Sequence, residues 1–405
     1  MPAYAHPPQP DARPGGSARV RAGMMRGLAR VAGGSSGREL SPEELATARI
    51  LIVRPDHLGD LLFLGPAMRW LRARLPRAHI ALAIGPWGKA ALPALTGTYD
   101  QLIELPFPAF ERGARAGAAA RWRMLGAWGK RLRAGGYNAA LIARPDHWWG
   151  AMLARFANIP LRWGFDTPET TPWLTRTLPT TKEHAAAGNL RLAAALTGDR
   201  LKPAPIAHPL NFQLTPRDLG DAGDLLFNIY GVDDVHPLAV IHPGSGAAIK
   251  LWEPGKWREI ARRLADAGVR VLVTGGPDET ALTRDVAAVH SGNVVDVGGQ
   301  TSFAVLAALL HRADIVLGPD SGPLHLAVAV GTPSLHLFGP SDPMLFGPWG
   351  DPARHIVIAS DWTCAPCGKF DWPDLAAHNC VRDISVERVW AATGRLLPQY
   401  GIIKT

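Results

Sequence analysis

The segment Ile50-Leu51-Ile52-Val53-Arg54-Pro55-Asp56-His57-Leu58-Gly59-Asp60 sets the frame for this chain, and Asp314-Ile315-Val316-Leu317-Gly318-Pro319-Asp320-Ser321-Gly322-Pro323-Leu324-His325 answers it in the second half. Each begins with an apolar run and reads as a buried parallel strand. Each then enters a glycine-containing turn that opens a helix. In open α/β sheets, ligands bind beyond the carboxyl ends of the strands. Two such turns, each carrying an aspartate, predict an α/β protein with two Rossmann-like domains, whose parallel sheets face a central cleft. That is the layout of an enzyme that joins two substrates.

The length of 405 residues suits two domains of roughly 150–200 residues each. A hydrophobic share of 47% is that of a globular protein. No apolar run reaches the roughly 18–20 residues that span a bilayer. Residues 1–45, rich in Pro, Gly, Ala and Arg, read as a disordered extension and not as a secretory signal. The charge is uneven: residues 1–200 carry 27 Lys+Arg against 14 Asp+Glu, and residues 201–405 carry 16 against 21. A basic first half implies an anionic partner there. Nucleic acid is one option, but no nucleic-acid-binding signature accompanies it, and a phosphorylated lipid head group or a membrane surface fits as well. Cys364, Cys367 and Cys380 include a Cys-x-x-Cys pair, and His378 could in principle supply the fourth ligand of a closed zinc site. The odd, low cysteine count fits a reducing cytoplasm, with these thiols reduced or locally structural.

Strand-like and helix-like patterns alternate on both sides of a Pro- and Asp-rich segment at 200–236. The expected domains are 46–215 and 216–385, followed by a C-terminal helix and tail at 386–405. In the first, strands at Ile50–Val53, His79–Ile84, Gln101–Leu105 and Ala139–Ala143 flank helices at Asp60–Leu75 and Arg121–Arg133. The second of these helices is basic, with Trp122, Leu125, Trp128 and Leu132 as its apolar stripe. Arg144-Pro145-Asp146-His147 repeats the tetrapeptide Arg54–His57 after a second strand, which should place both turns on one sheet edge.

The motifs that carry chemistry sit at strand ends. His242-Pro243-Gly244-Ser245-Gly246 leads to Lys250 and Trp252. Small residues let backbone N–H groups approach an anion, Ser245 adds a hydroxyl, and Lys250 adds a charge. Neither the P-loop nor the G-x-G-x-x-G spacing is matched. The alternative is a plain glycine-rich turn, and Trp252 reads as packing. Gly275-Gly276-Pro277-Asp278-Glu279 offers carboxylates to ribose hydroxyls, or merely caps a helix. Asp320, Ser321 and Gly322 open a helix, with His325 one turn in. Asp60 is either a structural N-cap or a general base for an acceptor hydroxyl.

Taken in order, Arg54-x5-Asp60, His242-Pro-Gly-Ser with Lys250-x-Trp252, Gly275-Gly-Pro-x-Glu279, Asp320-Ser-Gly-x-x-His325 and Gly339-Pro-Ser-Asp-Pro343 resemble glycosyltransferase family nine, the bacterial ADP-heptose:lipopolysaccharide heptosyltransferases. The resemblance covers residues 50–390. It implies a GT-B fold and an inverting transfer of heptose from ADP-heptose to the lipopolysaccharide inner core. By position it implies Asp60 as catalytic base, Ser245, Gly246 and Lys250 on the donor phosphates, and Glu279 on the ribose. It implies Asp320, Ser321 and Gly322 at the sugar and phosphate. Arg54, Arg121, Arg131 and Arg144 are the basic residues available to an anionic, lipid-linked glycan acceptor. No Asp-x-Asp occurs in the chain, so no metal and no cofactor are expected. The expected setting is the cytoplasm, with peripheral contact with the inner membrane. The alternatives are a protein or other glycan as acceptor, a non-transferring sugar-nucleotide enzyme such as an epimerase, or, weakest, a basic nucleic-acid-binding protein.

Overall fold

The computed structural model describes residues 39–397, apart from 109, 111–116, 230, 232–235, 373–377 and 379, together with Gly23, Gly27 and Gly37. Most of the predicted extension at 1–45 lies outside the described residues. Its end is helical: Pro42–Ala46 (α1) starts from a capping box in which Ser41 and Glu44 satisfy each other's backbone N–H. The chain divides into two compact units between Ala204 and Pro205.

The first unit holds six parallel strands: β1 (Arg49–Arg54), β2 (His79–Ile84), β3 (Gln101–Glu104), β4 (Ala139–Ile142), β5 (Leu161–Asp166) and β6 (Arg176–Pro179). Their order across the sheet is β3-β2-β1-β4-β5-β6. The second unit holds β7 (Leu238–Ile241), β8 (Arg270–Val273), β9 (Val294–Asp296), β10 (Ile315–Pro319), β11 (Ser334–Phe338) and β12 (His355–Ala359). Their order, β12-β11-β10-β7-β8-β9, is also all parallel. Counted within each unit, both sheets run 3-2-1-4-5-6, the order of dinucleotide-binding α/β domains. The strand order reverses between β1 and β4 in one unit and between β7 and β10 in the other. A crevice for a ligand belongs at those two places.

Apolar runs make the central strands, because a parallel sheet is covered on both faces. Ile50, Leu51, Ile52 and Val53 are all at most 1% exposed, and so are Ala239, Val240 and Ile241. Strands β5 and β6 escape the sequence pattern because polar residues interrupt them, and β12 is an additional strand although residues 356–359 form an apolar run. Arg162 on β5 is buried all the same, since its guanidinium donates to the carbonyls of Trp173 and Ile159. Helix α2 (Leu58–Arg74) buries Leu61, Leu62, Phe63, Leu64, Met68 and Leu71, although Pro66 lies inside it.

The basic helix spans Ala118–Ala134 (α3). Its inner face is Leu125 and Leu132, with Met124 and Trp128 partly buried beside them. Trp122 departs from the expected stripe and is 46% exposed. The helix packs against α4 (Trp148–Phe156) around Gly129, whose bare Cα admits Phe156, and Trp122 lies nearly two turns before that contact.

In the second unit, α5 (Pro254–Asp266) covers the sheet through Trp257, Ile260, Ala261 and Leu264. The terminal helix α6 (Val386–Leu396) packs on α5 and buries Val389, Ala392 and Leu396. Trp252 stands edge-on to Trp257 and donates its indole N–H to the Ile384 carbonyl at 2.9 Å. It is a packing residue that ties the tail to the core. Cys380 lies in the same core, where burial raises its thiol pKa; Cys364 is exposed and Cys367 half-buried. All three thiols are free. The His378 ring stacks on Trp372, with centroids 3.5 Å apart. Among the described residues no group of three or more His, Cys, Asp or Glu is arranged to hold a metal, and no helix is long and apolar enough to cross a membrane.

A buried polar ladder joins the last two strands. Ser334 Oγ hydrogen-bonds His336 Nε2 at 2.7 Å and His355 Nδ1 at 2.9 Å. Burial drives the His336 imidazole well below its ordinary pKa and the His355 imidazole to about 4, with Arg354 adding to the latter. Unfolded, both would titrate at about 6.5. Below that pH the unfolded chain binds more protons than the folded one, so stability falls with pH from about 6.5 toward about 4. For His355 alone the window is worth on the order of 3 kcal/mol. The melting temperature of the full chain should hold steady above pH 7 and drop below pH 6.5. His355→Gln should flatten that drop, and an unchanged slope in the variant would exclude His355 as its source.

Candidate active site

The switch point of the first sheet brings the repeated tetrapeptides together. Strands β1 and β4 are parallel neighbours with Val53 opposite Ile142, so Arg54 and Arg144 leave the sheet at the same edge. Arg54 donates to the Ala143 carbonyl and, at 3.2 Å, to Asn189 Oδ1. Its Nε lies 2.6 Å from Asp56 Oδ2, and its Nη2 donates to Asp60 Oδ1 at 3.3 Å. Arg144 closes the circuit. It pairs with the other Asp56 oxygen through Nη1 and with Asp146 through Nε.

Burial makes this circuit tight. Asp56 is 0% exposed, and Arg54 and Arg144 are at most 4% exposed. Burial pushes the Asp56 carboxyl up, but the Arg144 and Arg54 guanidinium groups hold it below the usual carboxylate range. His147, also buried, is held neutral, its pKa driven to about 3 by burial and by the Arg144 charge. Asp60 is more open than Asp56, with 16% of its side chain exposed, and Asp146 at the outer end of the circuit is 27% exposed. The helix begins at Leu58 and its cap residue is His57, so Asp60 sits in the first turn and is not the N-cap. Arg54 and Arg144, available to an acceptor on the sequence alone, are occupied with carboxylates. Arg131 lies over the Trp128 ring at 4.7 Å on the exposed face of α3, and Arg121 is half-buried there.

The switch point of the second sheet holds the other cluster. Strands β7 and β10 pair with Ile241 opposite Leu317. Gly318 allows this close approach, since a Cβ there would sit 2.5 Å from the His242 carbonyl oxygen. Beyond the strand ends, Lys250 Nζ donates to Asp320 Oδ2 at 2.7 Å. Ser341 Oγ donates to the same oxygen, and His325 Nε2 lies 3.4 Å from Oδ1. Asp320 is 4% exposed and Lys250 9%. Burial raises the Asp320 carboxyl, yet the Lys250 ammonium and His325 outweigh it and hold it well below the ordinary range. The Phe370 ring covers Lys250 with its centroid 5.0 Å from Nζ. Ser245 Oγ donates to the Asp320 carbonyl at 3.2 Å, while Gly246 is exposed. Ser321 and Gly322 open the helix Gly322–Ala329, presenting backbone N–H groups beside this charge pair.

Glu279 lies across the glycine turn. Its Oε2 accepts from the Gly276 N–H at 2.7 Å and stands 3.9 Å from His242 Nε2, with 27% of its side chain exposed. Gly244 lies beneath it and leaves room for the carboxylate in this position, since a Cβ there would push the Glu279 side chain aside. Sequence reasoning placed Lys250, Ser245, Glu279 and Asp320 at one sheet edge, and all four converge there. It overlooked Ser341, Phe370 and Asn189, which come from distant segments. For Ser341 a signal existed, the Gly339-Pro-Ser-Asp-Pro turn after β11. For Asp56 and Arg144 the signal was the repeated tetrapeptide.

Each cluster is a core of buried ion pairs at a switch point, with more open carboxylates at its edge: Asp60 and Asp146 in the first, Glu279 in the second. One offers a carboxylate that can take a proton, and the other a cation with backbone donors suited to a diphosphate.

Residues 125–371 match the profile of Glycosyltransferase family 9 (heptosyltransferase). The chain is 26% identical over 366 residues to lipopolysaccharide heptosyltransferase 2 of Salmonella typhimurium, covering 87% of this chain and 100% of that one. It is 28% identical over 232 residues to lipopolysaccharide heptosyltransferase 3 of Escherichia coli, a match that covers 55% of this chain and spans 65% of that relative's length. Among solved structures, E. coli ADP-heptose lps heptosyltransferase II superposes with a TM-score of 0.67 at 21% identity, over 87% of this chain and 99% of that one. The glycosyl transferase family 9 protein of Veillonella parvula gives 0.69 at 21% identity, over 88% and 99%. Two parallel sheets with the 3-2-1-4-5-6 order, the GT-B architecture, are thus shared with these structures, and with the profile spanning both units the chain belongs to glycosyltransferase family 9.

Proposed function

We propose that this glycosyltransferase moves heptose from ADP-heptose to the lipopolysaccharide inner core with inversion at the anomeric carbon. The observation that carries the reading is the buried Lys250–Asp320 pair at the N-terminus of the helix Gly322–Ala329, in a chain of family 9. Lys250, Ser245, Gly246 and the backbone N–H groups of Ser321 and Gly322 hold the donor diphosphate. Glu279 takes the ribose hydroxyls. As the bond from the sugar to phosphate breaks, these donors stabilise the negative charge that collects on ADP. Asp320 keeps Lys250 charged and oriented before the donor arrives. Asp60 accepts the proton of the acceptor hydroxyl as that oxygen attacks the anomeric carbon from the side opposite the diphosphate. The test is to supply purified protein with ADP-heptose and an inner-core acceptor lacking heptose. Mass spectrometry should find one added heptose and released ADP; donor consumption with no acceptor present would favour a non-transferring enzyme.

The acceptor side of the reading rests on α3. Arg123, Lys130 and Arg131 are exposed, Trp122 is exposed beside them, and the described part of the helix carries no acidic residue. In the proposal this face meets the anionic inner leaflet of a cytoplasmic membrane, where each basic residue is worth about 1 kcal/mol and an indole settles at the head-group level.

Asp60→Asn should leave the melting temperature and ADP affinity near wild type and lower turnover by roughly 100-fold or more, since general-base catalysis contributes about 10²–10⁴. Wild-type turnover in that variant would remove Asp60 from the mechanism.

Lys250→Met should weaken ADP binding about 10- to 100-fold and adenosine binding far less, because only ADP uses the charge-assisted contact. The same change strands Asp320 and should lower stability by about 3–5 kcal/mol. Lys250→Met with Asp320→Asn should recover most of that stability but not the ADP affinity. Equal losses for ADP and adenosine by calorimetry would show that Lys250 does not face phosphate.

Reversing Arg123, Lys130 and Arg131 to Glu should reduce sedimentation with phosphatidylglycerol vesicles by roughly 100-fold at low salt and leave ADP binding unchanged. Undiminished vesicle binding would make α3 a scaffold helix only.

A further inference from the structure

Proton transfer to Asp60 requires basicity, and its surroundings work against it. It lies in the first turn of α2, where the helix dipole favours the anion, and an Arg54 guanidinium nitrogen stands 3.3 Å away. A carboxylate fully paired with arginine is a weak base. The closer partner of Arg54, however, is Asp56, at 2.6 Å and 0% exposed. Asp56 in turn shares its second oxygen with Arg144. The positive charge of Arg54 is therefore divided between two carboxylates, and how it is divided depends on a residue contributed by a strand some ninety positions away in sequence.

We propose that Asp56 is a positioning residue that preserves the basicity of Asp60 by drawing the Arg54 charge onto itself, with Arg144 as its counterweight. The inference rests on Asp60 being the base. It deepens that reading by giving a task to a carboxylate that touches no substrate in it. The charged and titratable groups packed around the Arg54–Asp56 pair support it. On its own turn these are Arg54, Asp56 and His57. From the β4 turn come Arg144, Asp146 and His147, the last held neutral by burial. From the helix Ala185–Thr197 comes the neutral amide Asn189, which holds Arg54 in place, with His184 at that helix's start against Phe63. Both arginines stay charged at any assay pH. What a substitution at Asp56 changes is how many buried carboxylates they face.

Charge counting gives opposite signs for two substitutions. Asp56→Asn removes a buried anion, so Arg54 turns to Asp60 and holds it more firmly ionised. The acid limb of the kcat/KM profile should move down by about one to two pH units, and the plateau should fall. Arg144→Gln removes a cation, so Asp56 competes harder for Arg54 and the acid limb should move up by a similar amount. The double variant restores the balance, and its limb should return to within about half a unit of wild type.

The test is the pH dependence of kcat/KM for heptose transfer by the full-length wild-type protein, Asp56→Asn, Arg144→Gln and the double variant. Circular dichroism and ADP affinity serve as controls of folding. Opposite shifts with recovery in the double variant are the expected result. Lower rates with no shift, or shifts of the same sign, would overturn the proposal and leave Asp56 a structural residue. If Asp56→Asn does not fold, Arg144→Gln against the double variant carries the same test of sign. Failure of the parent reading looks different: Asp60→Asn would then keep wild-type turnover, whatever the limbs do.

Discussion

Lys250 and Asp320 face each other across 2.7 Å with almost no access to water. Either charge alone in that place would cost several kcal/mol. The pair therefore constrains everything around it. Ser341 and His325 must come within reach of the remaining lone pairs of Asp320, and Phe370 must cover the ammonium. These residues come from the turns after β10 and β11, from a helix start and from a late loop. Their convergence needs the parallel register of β7, β10 and β11, which in turn needs Gly318 at the closest approach. A site built this way is preorganised: the donors are oriented before any diphosphate arrives, so little reorganisation is left for the reaction.

The first unit solves the same problem with a different set of charges. Two arginines and three carboxylates interlock at the edge of β1 and β4, with Asp56 at the centre and Asp60 at the rim. Burial makes the two Asp56 pairs costly to break, and it also makes them strongly coupled, because little water screens them. A change at Arg144 is thus felt at Asp60 through Asp56 and Arg54. The two units share a strand order, and each concentrates its charge where that order reverses.

The outer surfaces follow other rules. Helix α3 keeps a narrow apolar face on its unit and turns arginines and lysine outward. The tail, by contrast, is bound inward: Trp252 donates to Ile384, and Val381 and Cys380 fill the core beneath Gly339. The Cys-x-x-Cys segment is therefore anchored at one end by packing. His378, which the spacing offered as a fourth ligand, stacks on Trp372.

Much of the fold was legible because its signals are local. Apolar runs such as Ile50–Val53 and Ile315–Leu317 mark strands covered on both faces, and glycine or aspartate beyond them marks a strand end. From these came the α/β class, two Rossmann-like halves, and the gathering of Lys250, Glu279 and Asp320 at one edge. Strands β5 and β6 were not legible, since Arg162 and Arg176 break the apolar pattern and only a tertiary partner explains the buried Arg162; β12 was overlooked although residues 356–359 carry the apolar signal. The exposure of Trp122 was likewise hidden, because periodicity fixes the face of a helix but not where its neighbour begins. The sequence by itself determined which residues carry charge at the strand ends. Only the tertiary structure decided which charges are spent on one another. Arg54 and Arg144 looked free to meet a substrate, but ion pairing depends on distance and burial, and both are set by the pairing of strands far apart in the chain.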